Sequence, residues 1–245
     1  MYARILVPRS DTLDADRAAR AARVLADLVH AEVITPDVAD VAESAEREAQ
    51  ALVEAVRTHD ADLVSMTPRD GAAEHVLAHA RVPVLAVPPT AETLSRLNSI
   101  LVPFDGSASS LVALGHATRL ARVTGAAMVL LRVVEPLPLW LFDPTLGLNT
   151  GPLIDPRWDE TRREHAEAYV RQVASQVAES GLEVGADALL GEIASTIGDY
   201  ASTEALDLIV MGTHGRHGAL GKMLGSTAAH VLRTAPRPVL LVRAP

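Results

Sequence analysis

Short apolar runs alternate along the chain with longer stretches in which apolar residues recur every third or fourth position, the signatures of buried strands and of amphipathic helices. In the C-terminal part, "SILVPFD" reads as a strand, followed by Ser107 and Ser109 as candidate N-caps of a helix with Leu114, Ala117 and Ala121 on its apolar face, closed by Gly125. "AAMVLLRVVE" gives a second strand. After a proline-rich stretch, a helix from Asp159 carries Ala166, Val170, Val173 and Val177 on one face and stops at Gly181. "LEVGADALL" is a third strand, "EIASTIGDYAST" a helix with Ile193, Ile197 and Tyr200 inward, and "DLIVMG" a fourth strand. "STAAHVLRTA" is a last helix and "RPVLLVR" a last strand.

The N-terminal part is a shortened version: strand Arg4 to Val7, helix Asp14 to His30, strand Glu32 to Thr35, helix Ala42 to His59, strand Leu63 to Met66, a short helix, and strand Val84 to Val87. One strand and helix pair is missing. "ARILVPRSD" matches "NSILVPFDG", "ADLVSM" matches "LDLIVM", and "HVLAHARVPVLAVP" matches "HVLRTAPRPVLLVR", in the same order. Three ordered matches argue for duplication. "PPTAETLSRLN", from Pro88 to Asn98, opens on two prolines, shows no apolar period and is read as the linker. The division expected is residues 1–93 and 98–245. Strands apolar on both faces, alternating with helices, imply an α/β fold of two tandem doubly wound parallel-sheet domains, Rossmann-like, the first shortened.

Composition supports this and narrows the partners. Of 245 residues 49% are hydrophobic but only 3% aromatic, so the cores must be built from Ala, Val, Leu and Ile. A formal net charge of −9 opposes the basic footprint that nucleic acid requires. Without cysteine there is no disulfide, thiolate metal site or cysteine nucleophile, which fits a reducing cytoplasm. "MYARILVPRSD" is too short an apolar run for a signal peptide or anchor, and no stretch is long enough to span a bilayer. The expectation is a cytoplasmic protein with no nucleic-acid or membrane partner.

The candidate chemistry lies in "MGTHGRHGALGKMLGST", Met211 to Thr227, which begins where a parallel strand ends and leads into a helix start. Ligands of open parallel sheets sit beyond the strand carboxyl ends, and a helix N-terminus offers unpaired N–H groups and a favourable dipole to an anion. Gly212 and Gly215 allow close backbone approach to a phosphate; Gly225 and Ser226 place an N–H and a hydroxyl at the helix start. A Walker loop is excluded because Lys222 precedes Met223, and G-x-G-x-x-G is absent. On glycine content alone a simple strand-to-helix connection competes with a phosphate site.

The spacing G-x2-G-x9-G-[ST], formed by Gly212, Gly215, Gly225 and Ser226, resembles the ATP-binding signature of the universal stress protein family. "ILVPFDGS", "DLIVMGTHG" and "RPVLLVR" are similar to that family too, and the likeness covers both parts of the chain. The resemblance implies an adenine nucleotide alpha hydrolase-like fold and a cofactor, ATP with Mg²⁺. It places Pro103 among the nucleotide-binding residues, Asp105 by the adenosine, Val133 with its backbone on the adenine edge, Gly212 and Gly215 on ribose and phosphate, and Gly225, Ser226 and Thr227 on the phosphates. Ser10 stands where Asp105 does, and "TPRDGAAEH" keeps only Gly71, so no nucleotide is expected in the first part.

Other residues have plainer readings beside functional ones. His214 and His217 lack a third metal ligand, and Arg216 and Lys222 are as readily solvated as phosphate-bound. Asp105 as a hydrolytic base and Ser226 as a phosphoryl acceptor define the alternative, a slow ATPase or autokinase in the same pocket. Glu135 to Asp159 holds Trp140, Phe142 and Trp158, which suits a lid, a partner surface or packing against the other domain. The apolar edges Val84 to Val87 and Val239 to Val242 need partners. Intramolecular pairing of the two domains is expected there, with homodimer formation and an unidentified protein partner as further associations. The function expected is nucleotide-dependent stress-response regulation with little or no turnover.

Overall fold

A computed structural model describes residues 1–9, 13–36, 45–68, 71–137, 157–213 and 224–244. Among them, β1 (Arg4–Leu6), α1 (Leu13–Val29), β2 (Glu32–Ile34), α2 (Ala45–His59), β3 (Leu63–Met66), α3 (Ala72–His79) and β4 (Val84–Ala86) form the first part. The second part comprises β5 (Ser99–Pro103), α4 (Ala108–Thr124), β6 (Ala127–Val134), α5 (Trp158–Ala178), β7 (Val184–Leu190), α6 (Ile193–Thr203), β8 (Leu208–Gly212), α7 (Ser226–Thr234) and β9 (Val239–Val242). The strands make one sheet in the order β2-β1-β3-β4-β9-β8-β5-β6-β7. Neighbours are parallel except at the centre, where β4 runs antiparallel to β9 with Leu85 opposite Leu240. Outward from that join the order is the same on both sides, with β7 added beyond β6.

Side chains alternate along each strand between two cores, as period-two geometry requires. Ile100, Val102, Leu208 and Val210 face α1, α4 and α5, whereas Leu101, Ile209, Val239 and Leu241 face α2, α3, α6 and α7. Each core draws residues from both parts of the chain, so the join is as apolar as the interior. A fully buried Leu or Val contributes roughly 1.5–3 kcal/mol, and Val84, Leu85, Ala86, Val239, Leu240 and Leu241 are all fully buried.

The connecting segment differs from its sequence reading. Ala91, Leu94 and Leu97, spaced by three, are buried in the core, while Glu92 N donates to Pro236 O at 2.8 Å and Arg237 pairs with Glu92. The period is real but too short to register as a helix, and the segment is bound to the body of the protein.

One local device occurs twice. The Asp62 carboxylate accepts from the N–H groups of Ala3 and Arg4 at 2.8 and 3.0 Å, fixing the entry to β1. Asp207, at the matching position before β8, accepts from Asn98 N and Ser99 N at 2.8 and 3.1 Å and fixes the entry to β5. Helix exits also share a conformation: His30, Asp60, Arg81 and Ala205 have φ of 58, 51, 58 and 49°, the left-handed region that glycine occupies at Gly125 and Gly181.

Candidate functional site

The switch in strand order lies between β5 and β8. From β5 the chain crosses through α4 on one face to β6; from β8 it crosses through α7 on the other face to β9. The two connections diverge and leave a crevice beyond the carboxyl ends of β5 and β8, the place where such sheets bind ligands.

Four of the expected positions border it. Pro103 is the last residue of β5, opposite Leu131 of β6. Asp105 follows and accepts from Ser107 N at 3.0 Å, holding the turn that also uses Gly106 at φ 77°. Ser107 caps α4, its hydroxyl accepting from Ser110 N at 3.2 Å; Ser109 is not a cap but lies buried in the first turn. Val133 is two residues past Leu131, whose carbonyl accepts from Phe104 N at 2.8 Å. By strand periodicity Val133 therefore turns its N–H and C=O to the same edge, beyond the last β5–β6 pair and toward the crevice. Its own side chain is 9% exposed.

Gly212 ends β8, and a Cβ built on it would stand 2.3 Å from Ser109 Oγ and 2.6 Å from Ser109 O. Absence of a side chain is thus demanded by the close packing of β8 against α4. The sequence reading assigned this glycine to phosphate approach alone and missed the steric requirement.

The loop after Gly212 has a closed neck. Thr213 is 1% exposed, its N–H donates to Val242 O at 3.0 Å, and its carbonyl accepts from Gly225 N at 2.7 Å. The Gly225 N–H is therefore engaged within the protein, which shifts the donor role one residue on. Gly225 has φ −68° and ψ 154° and offers no side-chain cap to α7. The first intrahelical bond is Ala229 N to Gly225 O at 2.9 Å, so the N–H groups of Ser226, Thr227 and Ala228 have no acceptor in the helix. Ser226 is exposed and Thr227 half-buried. This end of α7 carries positive partial charge and donors suited to an anion.

Gly215, and with it His214, Arg216, His217 and Lys222, lies outside the described residues, as do Ser10, Trp140 and Phe142. Trp158 opens α5 and is 46% exposed. Among the described residues no group of three or more His, Asp or Glu side chains could hold a metal ion, and no helix is long and apolar enough to cross a membrane. The residue that sequence reasoning missed is Thr213, whose only signal was its place directly after an apolar strand.

Fold and crevice define a doubly wound α/β protein with an anion-ready helix end at its topological switch point. The model of the Universal stress protein family matches residues 97–243, and the chain belongs to that family. A universal stress protein of Thermus aquaticus is 35% identical over 148 residues, spanning 59% of this chain and 98% of that protein. One from Methanocaldococcus jannaschii is 32% identical over 149 residues, 60% of this chain and 82% of its own. Among solved structures, the universal stress protein UspA from Lactobacillus plantarum aligns with a TM-score of 0.50 at 29% identity, over 61% of this chain and 99% of that one. A universal stress protein from Archaeoglobus fulgidus aligns over 98% of this chain and 96% of its own, with a TM-score of 0.65. At 17% identity that likeness speaks for the fold alone, but it extends over both parts of the sheet.

Proposed function

We propose that the chain is a tandem universal stress protein that binds one ATP, with Mg²⁺, in its second domain and acts as a nucleotide-dependent regulator in the stress response. The reading is supported by Pro103 and Gly212 ending the neighbouring strands β5 and β8, by Asp105 in the turn after β5, and by the Ser226–Ala228 N–H groups at the start of α7, which have no acceptor in the helix. The adenosine would lie over the ends of β5 and β6, with Gly215 beside the ribose and phosphates. The phosphates would meet Ser226 and Thr227 at the start of α7. Several charge-assisted bonds of about 1.5–3 kcal/mol each suffice for micromolar affinity after ordering costs.

The repeated strand order and the paired carboxylates Asp62 and Asp207 support the tandem reading. In the first domain Thr67 takes the place of Gly212, and the chain passes from Thr67 to the cap Gly71 with no room for a comparable loop. That domain serves in this reading as a built-in partner through β4 and β9, within a cytoplasmic protein. The test is mass spectrometry of nucleotide released from the purified protein, followed by calorimetric titration with ATP and Mg²⁺. Binding of one ATP per chain is expected, without steady phosphate release. Failure of the wild-type protein to bind ATP would overturn the proposal.

A further inference from the structure

Among the described residues the sheet has two outer edges, β2 on one side and β7 on the other. An open edge is a template on which another chain can add a strand. β2 is three residues long; the bonds from Glu32 N to Ala3 O and from Val7 N to Ile34 O turn its ends inward, and Val33 alone faces out. β7, Val184–Leu190, is longer and has no counterpart in the first part. Its register with β6 is bounded by Met128 N to Glu183 O at one end and Gly191 N to Val134 O at the other, which sends the N–H and C=O of Gly185, Asp187 and Leu189 to β6. Those of Val184, Ala186, Ala188 and Leu190 point away from the sheet. The middle of this edge is nevertheless covered. Asp187 Oδ1 accepts from Ala188 N at 2.8 Å, and Arg163 of α5 brings Nη1 to 3.5 Å from Ala188 O. Glu160 and Glu167 hold that guanidinium, at 3.0 Å from Nε to Glu160 Oε1 and 2.7 Å from Nη1 to Glu167 Oε2. Ala188 is 1% exposed although it lies on the outermost strand, whereas Leu190 is 37% exposed.

We propose that Asp187 and Arg163 close β7 against strand addition by a second copy of this chain, so that the sheet ends at its ninth strand. The pairing they prevent is specific. Asp187 is the midpoint of β7, so a two-fold antiparallel pairing in full register sets Ala186 of one copy opposite Ala188 of the other. Both backbone groups of Ala188 already face a charged side chain of their own chain. The two Asp187 residues would oppose each other at the centre as a non-hydrogen-bonded pair, where side chains come closest and like charges repel. With β4 and β9 bonded to each other and β2 short, no other long edge is open among the described residues. The device is independent of any nucleotide.

The test is sedimentation velocity of the full chain over a concentration series, with hydrogen exchange of the amides of Val184–Leu190. In the wild type, protection of these amides should not change with concentration. The Asp187→Ala, Arg163→Ala double variant should self-associate about tenfold more strongly or better, and its Ala186 N–H should gain protection as concentration rises. Adding Ala186→Pro removes an outward N–H that takes no part in the pairing with β6, and should return association to the wild-type level. The proposal is overturned if the double variant sediments as the wild type does, if Ala186→Pro leaves its association unchanged, or if Ala186→Pro weakens an association of the wild type. Circular dichroism confirms that each variant is folded. Where Ala186→Pro unfolds the chain, concentration-dependent protection of the Ala186 N–H in the double variant decides alone, and its absence refutes the role of the edge.

Discussion

Replacing Ser226 by proline separates ligand binding from folding at the start of α7. Ser226 is the first helical residue, its N–H has no acceptor in the helix, and Gly225 before it has ψ 154°. Proline is tolerated at that position, because the N–H it removes is unpaired there and the extended residue before it is what the ring requires. Stability should therefore change by less than about 1 kcal/mol. If α7 receives the phosphates, however, the substitution removes two donors, the backbone N–H and the hydroxyl. Each charge-assisted bond is worth about 1.5–3 kcal/mol, and because Ser226 is exposed the lower figure applies. A loss of about 3 kcal/mol corresponds to roughly a hundredfold weaker ATP binding. Ser226→Ala, which removes the hydroxyl alone, should lose about tenfold. Titration calorimetry alongside urea unfolding reads both quantities. A Ser226→Pro protein of unchanged stability that binds ATP within twofold of wild type would refute the placement of phosphate at α7.

Three further substitutions probe the frame around the site. Gly212→Ala drives a methyl into Ser109, and since backbone atoms of Ser109 lie at 2.6 and 2.7 Å, trimming that side chain cannot relieve the clash. A loss of about 1–3 kcal/mol or more is expected by urea unfolding, persisting in the Ser109→Ala double variant. Ala205→Gly relaxes an exposed residue held at φ 49° and should raise stability by about 0.5–1 kcal/mol, since the relief of left-handed strain exceeds the added unfolded-state entropy. His116 of α4 lies 2.8 Å from the Tyr2 hydroxyl; burial first, then Arg119, brings its pKa down to about 4. The unfolded chain takes up the proton near pH 6.5, before the folded one. The stabilisation is therefore complete above that pH and is lost as pH falls from 6.5 toward 4. Allowing for the ring's partial exposure, the loss is about 1–2 kcal/mol, and His116→Gln should flatten this part of a pH-stability curve.

The strands were legible because parallel strands buried on both faces leave continuous apolar runs. Leu63–Met66 and Val239–Val242 coincide with their sequence readings. That the edges Val84–Val87 and Val239–Val242 would pair within the chain was expected, and β4 does bond β9, but the antiparallel sense and register left no trace. The antiparallel bonding of β4 to β9 depends on two segments far apart in sequence, and "VLA" and "VLLV" would look the same facing a second copy. The connection from Pro88 to Asn98 misled for a related reason: Ala91, Leu94 and Leu97 are three small contacts separated by polar residues, and only the surrounding cores show that they are buried.

The candidate site was readable in position more than in cause. The sequence puts Asp105, Val133, Gly212 and Ser226 at strand ends and a helix start, and each stands at such an end in the fold. Their individual roles depend on neighbours that spacing does not reveal. Gly212 is glycine because Ser109 occupies the space of its side chain, and Gly225 spends its N–H on Thr213 rather than offering it to a ligand. A glycine signature in this fold therefore joins two demands, close packing at the strand end and open donors at the helix start. Loss of ligand binding after a glycine substitution is informative about the phosphate only where folding is measured as well. Ser226, with an unpaired N–H and an exposed side chain, is the position at which the two demands part.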